Sequence, residues 1–223
     1  HERSSAASDV YKRQLPGSVG LISKSELKVF NDLDINKIIS QVPGVYTQEE
    51  DGYGLRPNIG MRGTGLERSA KINMMEDGIL IAPAPYSSPA AYYSPTAGRM
   101  ESFEIRKGSS QIKYGPHSTG GAINYVSASI PQKLDFSGAI SLGQYAHRLA
   151  QFKTGISSKN IGILFQTHLD DVGGFKEIDG GGETGYDKKD FLFKARLNNH
   201  SEVAAIELKI SRTEELSHET YLG

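Results

Sequence analysis

The sequence predicts an α+β domain followed by antiparallel strands of the kind that form a membrane β-barrel. Two observations lead to this prediction. From about Leu15 to Gln132 the pattern changes every few residues, and short apolar runs are broken by Gly and Pro. After Pro131 the pattern changes to five runs that alternate between apolar and polar residues, each about ten residues long.

Composition narrows the possible functions. The chain has 223 residues and a net charge of -1, so charge alone favours neither nucleic acid nor an anionic surface as a partner. It contains no cysteine, which excludes disulfides and thiolate metal sites. The six histidines are never at metal-ligand spacing, so we expect no protein-bound metal and no cofactor.

The first fourteen residues have no apolar period, and we interpret 1–14 as a disordered leader or an artefact. The α+β domain is then predicted at 15–132 and the strand array at 133–223. Five strands cannot close a barrel, and an open sheet edge is costly in hydrocarbon. We therefore expect the strands to be the first of a larger, truncated barrel.

One helix is predicted in the first domain, in the stretch "DLDINKIISQVPGV". Asp32 or Asp34 is a candidate N-cap, and the helix should end before Pro43. Isoleucines at positions 35, 38 and 39 share one face, as in an amphipathic helix.

Two strand signals follow. "KINMMEDGILI" is typical of a hairpin, because the Asp77-Gly78 pair tolerates the positive φ angles of a tight turn. Ser94 and Pro95 are then predicted as N-cap and first residue of a helical turn. "MESFEIRKG" at 100–108 alternates as a strand.

After that strand in the chain, Ser109 or Ser110 is predicted to cap one helical turn that runs through Tyr114 and ends at Gly115. Gly120 and Gly121 precede the next apolar run. We expect these glycines to permit backbone angles and close approaches that a Cβ would block. The simplest interpretation is a structural turn without ligand contact.

The five alternating runs predict strands with one apolar and one polar face. Their expected positions are Leu134 to Gly143, His147 to Ile156, Ile161 to Asp170, Asp190 to Asn198 and Val203 to Ser211. The connections "SSKN" and "NHSE" are short, whereas the one at 171–189 is long and rich in glycine. This pattern is typical of a membrane β-barrel, although a soluble β-sandwich shares the alternation.

Five motifs then become recognisable in order and spacing. They are "VPGV" at 42–45, "RPNIGMRG" at 56–63, "MEDGI" at 75–79, "MESFEIRKG" at 100–108 and "YGPHSTGGAINYVS" at 114–127. Together they resemble the plug of TonB-dependent outer-membrane receptors. "APYSSP" at 84–89 is most similar to the ferric citrate and siderophore branch, although Ser and Ala stand where that branch has amide side chains.

The resemblance implies an α+β plug domain followed by the first antiparallel strands of a transmembrane β-barrel, of a type with about 22 strands. It further implies active uptake of a ferric chelate in the bacterial outer membrane, with the plug as gate and ligand sensor. The iron would arrive already chelated. The expected partners are this chelate, outer-membrane lipid and a TonB-type energy-transducing complex of the inner membrane.

Ligand contacts are expected from three plug loops that face outward, at 53–56, 63–69 and 84–93. Tyr, Ser and Arg side chains there offer aromatic area and hydrogen-bond donors to an anionic chelate. The candidates are Tyr53, Arg56, Arg68, Tyr86, Ser87, Ser88, Tyr92 and Tyr93. The alternative is that these tyrosines only fill space between plug and barrel.

The resemblance also implies that plug arginines meet carboxylates on the inner barrel wall. Arg62 and Arg106 are the candidates for this plug–barrel anchoring, because an unpaired guanidinium would be costly in an enclosed domain. Glu101 and Glu104 are local alternatives as partners.

Two other classes of function compete with this interpretation. A soluble, secreted β-rich binding module would account for the alternating strands. An enzyme is not expected, because the sequence has no nucleophile elbow, no Walker-type loop and no metal-ligand pair.

Overall fold

The computed structural model describes residues 18–30, 34–81, 93–108, 114, 119–179, 181–198 and 205–218. The predicted leader at 1–14 lies outside these residues. The chain divides into two compact units, His1–Ala128 and Ser129–Gly223. The domain limits 15–132 and 133–223 stay predictions. Of the helices in the described residues, none is long and apolar enough to cross a membrane.

The first unit is an α+β domain, as the sequence predicts. Its elements are β1 (Ser18–Ile22), α1 (Lys24–Phe30), α2 (Ile35–Ser40), β2 (Val45–Gln48), β3 (Asn58–Met61), β4 (Ile72–Glu76), β5 (Ile79–Leu80), β6 (Met100–Lys107) and β7 (Gly121–Ser127). Five strands form one sheet in the order β1-β6-β7-β4-β5, and β2 pairs with β3 in a separate ribbon. The β4–β7 pair is parallel, and the other pairs formed by the described strands are antiparallel.

The predicted helix is confirmed as α2. Asp34 is its N-cap, and its side chain accepts a hydrogen bond of 2.8 Å from the backbone N–H of Asn36. The isoleucines at 35, 38 and 39 are buried, so the apolar face predicted from their spacing is the face that packs. The other candidate cap, Asp32, lies outside the described residues.

The Asp77-Gly78 hairpin is also confirmed. Both residues have positive φ, 52° and 81°, and they join β4 to β5. The prediction for Ser94 is wrong. The 3-10 turn that follows starts after Thr96, and Ser94 is buried two residues earlier. The helical turn predicted to begin at Ser109 or Ser110 lies outside the described residues, apart from Tyr114.

The core of the first unit lies between its sheet and α2. Phe103 and Ile105 of β6 and Ile123 and Tyr125 of β7 are fully buried. The rings of Phe103 and Tyr125 meet edge to face with centroids 5.1 Å apart. Apolar residues from α2, β2, β3 and β4 complete the cluster.

The second unit is a sheet of five antiparallel strands, as predicted. They are β8 (Asp135–Leu142), β9 (Arg148–Ser157), β10 (Ile161–Val172), β11 (Tyr186–Asn198) and β12 (Ala205–Ser217), and each pairs with its neighbour in sequence. Three limits differ clearly from the prediction. β10 continues to Val172, β11 begins at Tyr186, inside the predicted connection, and β12 continues to Ser217.

The alternation places apolar and polar side chains on opposite faces of the second sheet, but it is the apolar side chains that are exposed. Phe136 and Ile140 are 70% and 83% exposed, whereas His168 is 2% exposed. We call the two sides the apolar face and the polar face. The apolar face carries Phe136, Ile140, Phe152, Ile156, Ile161, Ile163, Phe165, Leu169, Phe191, Phe193, Leu197, Ile206, Leu208 and Ile210.

Candidate functional site

The first candidate ligand loop, between β2 and β3, is organised by Asp51. Its buried carboxylate accepts hydrogen bonds from the backbone N–H groups of Tyr53, Gly54 and Arg56, at 2.6, 2.7 and 3.0 Å. A carboxylate that collects several backbone donors fixes the loop around it. The side chains of Tyr53 and Arg56 are therefore held half-buried, at defined positions.

The second candidate loop, at 63–69, is connected to the first by Ser69. The buried Ser69 hydroxyl donates to the carbonyl of Pro57 at 2.8 Å and accepts from the N–H of Ile59 at 3.0 Å. Next to it, Arg68 is exposed and its N–H donates to the Asn58 side chain at 2.9 Å. The structure thus brings Tyr53, Arg56 and Arg68 onto two connected loops.

The third candidate loop is described only at its end. Tyr86, Ser87, Ser88 and Tyr92 lie outside the described residues. Tyr93 is half-buried, and its hydroxyl lies 3.4 Å from Nη2 of Arg99. The ligand role of all eight candidates stays a prediction.

A buried ion pair lies beside Tyr93, and no sequence motif indicates it. Nη1 and Nη2 of Arg99 donate to the two carboxylate oxygens of Glu76, at 2.7 and 3.0 Å, and Arg99 is 1% exposed. This is the bidentate geometry of a strong arginine–carboxylate pair. No spacing rule connects residues that are 23 positions apart on a strand end and a 3-10 turn, so inspection of the sequence could not find it.

Tyr125 lies near Tyr93 and Glu76. Burial raises the pKa of its hydroxyl far above the usual range. The Ser94 hydroxyl opposes this pKa shift, while Tyr93 and Glu76 increase it. Tyr125 is therefore neutral at any physiological pH.

Arg62 and Arg106, the predicted anchoring residues, are in different surroundings. Arg62 is exposed, has a φ of 53°, and lies next to Gly108 and Lys107. Among the residues that the structure describes, no carboxylate lies within ion-pair distance of Arg62. Arg106 is buried, 3.7 Å from the carboxylate of Glu104, and stacks on the ring of Tyr114 at 5.4 Å.

Lys107 is a buried cation that the sequence motifs do not single out. Its Nζ donates to the carbonyl of Pro43 at 2.6 Å. Burial lowers the pKa of Lys107, and the nearby Arg62 guanidinium lowers it further. Because neighbouring residues of a strand point to opposite faces, Lys107 rather than Arg106 lies beside Arg62. The other predicted partner, Glu101, pairs with Lys24 at 2.5 Å.

The two described glycines of the predicted turn are needed for close approach. A Cβ on Gly121 would lie 2.2 Å from Sδ of Met61 and 2.8 Å from the carbonyl oxygen of Arg106. A Cβ on Gly120 would lie 2.7 Å from the Thr64 hydroxyl. Neither glycine has a positive φ, so the requirement is space. Gly115 lies outside the described residues.

The polar face of the second unit carries side chains that pair with one another. The Asp170 carboxylate is 2.7 Å from both His147 Nε2 and the Tyr186 hydroxyl. Gln151 contacts His168 at 2.9 Å, and Lys188 pairs with Glu215 at 2.9 Å. Each of these side chains thus has a hydrogen-bond or ion-pair partner, as polar groups shielded from water usually do.

Comparison with protein families gives a match that covers half of the chain. Residues 11–122 match the model of the TonB-dependent receptor plug domain. The vitamin B12 transporter BtuB of Photobacterium profundum is 27% identical over 113 residues, which are 51% of this chain and 18% of the transporter.

Solved structures share the fold of both units. The siderophore receptor PirA from Acinetobacter baumannii superposes with a TM-score of 0.70 and 18% identity, over 92% of this chain and 32% of the receptor. The ferric citrate transporter FecA in its unliganded form superposes with a TM-score of 0.68 and 20% identity, over 81% of this chain and 28% of the transporter. The chain therefore spans about a third or less of these relatives.

Proposed function

Because this chain belongs to the TonB-dependent receptor plug-domain family, we propose that it forms the plug and first barrel strands of a bacterial outer-membrane receptor for a ferric chelate. The observation that carries the proposal is the family match over residues 11–122, directly ahead of a sheet whose apolar face is exposed. In this receptor the plug is the gate and the ligand sensor.

The second unit supports a place in the membrane. In a transmembrane barrel the apolar side chains face lipid and the polar ones face the lumen. The exposed apolar face and the hydrogen-bonded polar face of β8 to β12 have this arrangement. A soluble β-rich module would bury its apolar side chains instead, so the structure disfavours that alternative.

The candidate ligand loops support an anionic chelate. Tyr53, Arg56, Arg68 and Tyr93 combine aromatic surface with guanidinium donors, a combination that suits ligands rich in carboxylate or catecholate oxygens. A siderophore receptor and a ferric citrate transporter are among the structures that share the fold. A ferric chelate of one of these two types is therefore the proposed ligand.

A cobalamin is the second candidate ligand, because a relative found by sequence is a vitamin B12 transporter. The two candidates can be separated by charge. Arg56→Ala and Arg68→Ala together should reduce capture of an anionic ferric chelate at least about tenfold, because two charged donors are lost. Capture of cyanocobalamin should change much less.

We propose that ion pairs between plug side chains and the barrel wall hold the plug in place, and that these ion pairs break during transport. Arg62, Lys107 and Arg106 supply three cations at one end of β6 and the turn after β3. Glu104 pairs with Arg106 locally, which leaves the exposed Arg62 as the better candidate to meet a carboxylate of the barrel wall. The Arg62→Ala variant should fold but admit large antibiotics that the wild-type receptor excludes.

Uptake by the receptor that contains this chain tests the proposal. Cells that express it should accumulate radiolabelled ferric citrate or ferric enterobactin, and a protonophore should abolish accumulation, because energy is proposed to come from the proton gradient through a TonB-type complex. Uptake that continues with the protonophore would contradict active transport. Absence of uptake for both chelates and for cyanocobalamin would contradict the ligand class.

A further inference from the structure

The buried ion pair at the base of the third candidate loop has a geometry that a purely stabilising contact does not need. Glu76 is the last residue of β4, and Arg99 lies directly before β6. The same Nη2 that binds Glu76 at 3.0 Å also lies 3.4 Å from the Tyr93 hydroxyl. We propose that the Glu76–Arg99 pair positions Tyr93 for ligand contact, so that both are positioning residues that do not themselves touch the ligand.

The proposal rests on the proposed function, because Tyr93 is one of its candidate ligand residues. Tyr93 also lies directly ahead of a buried stretch of chain. The following residues Ser94 and Thr96 are buried, and the Arg99 N–H donates to the carbonyl of Thr96 at 3.2 Å. The chain after Tyr93 is thus buried and closes into a turn at Thr96–Arg99, while Tyr93 itself is half-buried.

Stability alone does not require the pair. A buried ion pair contributes little more than apolar residues of similar volume would, because both charges lose their hydration. An arginine side chain also fixes the geometry of the site. Its planar guanidinium binds both oxygens of one carboxylate, which holds a further N–H in a defined direction. At this site that direction is toward Tyr93.

Three variants test whether the geometry of an arginine is needed at position 99. Arg99→Lys keeps the charge but cannot reach both Glu76 oxygens and Tyr93 from one ammonium. Tyr93→Phe removes only the hydroxyl and leaves the ion pair intact. Lys24→Ala is a matched control, because it breaks the Lys24–Glu101 ion pair, which involves the same strand β6 but an exposed lysine.

Amide hydrogen exchange in the full-length receptor without ligand tests the positioning directly. We expect the Tyr93 and Ser94 amides to exchange about tenfold faster in Arg99→Lys, the effect of losing one charged hydrogen bond. Tyr93→Phe should have a similar effect at Tyr93. The amides of Phe103 and Ile123 should be unchanged in both, as they should in Lys24→Ala. Equal exchange at Tyr93 in wild type and Arg99→Lys would overturn the proposal, as would an equal increase throughout β6 and β7.

Measurements of ligand binding distinguish failure of this inference from failure of the proposed function. The probes are ferric citrate, ferric enterobactin and cyanocobalamin, and the one that binds wild type is used further. Arg99→Lys should weaken its binding about tenfold, and adding Tyr93→Phe should weaken it little more, because both variants remove one shared contact. Full additivity, or unchanged binding in Arg99→Lys, would overturn the positioning role and leave the proposed function intact. Binding of none of the three probes would count against the proposed function, while the exchange result would still decide whether the ion pair fixes Tyr93.

Discussion

Two pairs of aromatic rings show how differently the two units use the same strand pattern. In the first unit Phe103 meets Tyr125 edge to face at 5.1 Å and is fully buried. In the second unit Phe136 meets Phe152 edge to face at the same distance, yet Phe136 is 70% exposed. Both phenylalanines lie in strands that alternate apolar and polar residues.

Alternation therefore defines two faces but not which of them is buried. In the first unit the apolar face packs against α2, and water is excluded from it. In the second unit the polar side chains bind one another and the apolar ones are exposed, as the proposed membrane barrel requires. Substitutions matched between the units should therefore differ in how much stability they cost.

The largest difference is expected for truncation of the two rings. Phe103→Ala should lower the free energy of unfolding of the first unit by about 3–5 kcal/mol, because it removes a buried ring and leaves a cavity. Phe136→Ala should cost about 1 kcal/mol or less, the worth of the ring pair itself. Urea unfolding of the receptor, followed by a fluorophore placed in each unit, measures both. Similar losses would mean that both rings lie in cores of the same kind.

Neighbouring residues on opposite faces of β8 give the next largest contrast. Ile140→Arg should destabilise the barrel by about 2–4 kcal/mol in a bilayer, because it places a charge on the lipid-facing side. Ala139→Arg is the control, since it lies one residue away on the polar side. Folding into lipid vesicles with urea as denaturant measures the two costs. An Ile140→Arg variant as stable as Ala139→Arg would show that Ile140 does not face lipid.

Two glycines, Gly121 of the first unit and Gly138 of the second, should also differ in the cost of an added Cβ. Gly121→Ala should cost about 1–3 kcal/mol, because its Cβ would meet Met61 Sδ at 2.2 Å and a backbone oxygen at 2.8 Å. Gly138→Ala in β8 should be nearly neutral, because the nearest atom to its Cβ would be 3.6 Å away. Thermal unfolding of each variant provides the comparison. A neutral Gly121→Ala would show that Met61 moves aside without cost.

The smallest effect is a pH dependence confined to the first unit. Burial raises the pKa of Tyr125 in the folded state, so the folded protein keeps this proton where the unfolded chain loses it. The associated stability is complete below about pH 10, the unfolded pKa, and is lost as the pH rises above it. At about pH 11 the loss should be roughly 1 kcal/mol. Tyr125→Phe should remove this part of the alkaline destabilisation, and an unchanged pH profile would contradict the assignment.

Local signals in the sequence were sufficient for several elements. The sequence predicts the Asp77-Gly78 hairpin and the two faces of β8 to β12, and it offers Asp34 as one of two candidate helix caps. Each of these features depends on residues that are close together in the chain. The Ser94 cap was predicted wrongly, because Thr96 two residues later occupies the position. The short strands β1, β2 and β3 have no alternation long enough to be recognised.

The limits of β11 and β12 were missed for a different reason. At the end near the long connection, the apolar face carries charged residues, including Lys189 opposite Glu214. Backbone pairing continues there without apolar side chains, so the hydrophobic period ends before the strand does. A strand that leaves the hydrocarbon layer has this property, which is consistent with the proposed barrel.

Contacts between distant segments could not be predicted. The Glu76–Arg99 pair and the position of Lys107 beside Arg62 depend on how strands and turns assemble. Arg62 and Arg106 were identified by their motifs. Alternation along β6 puts Arg106 and Lys107 on different sides, but only the structure shows that Lys107 is the one next to Arg62.

Accessibility of the second sheet decides whether its apolar face meets lipid. Single cysteines at 135 to 142, introduced into the full-length receptor in lipid vesicles and spin-labelled, report collisions with oxygen, which dissolves in lipid, and with a water-soluble nickel complex. We expect high oxygen and low nickel collision rates at 136, 138, 140 and 142, with the opposite at the odd positions. High nickel collision rates at 136 and 140 would show that the apolar face meets water and would contradict a membrane-embedded sheet.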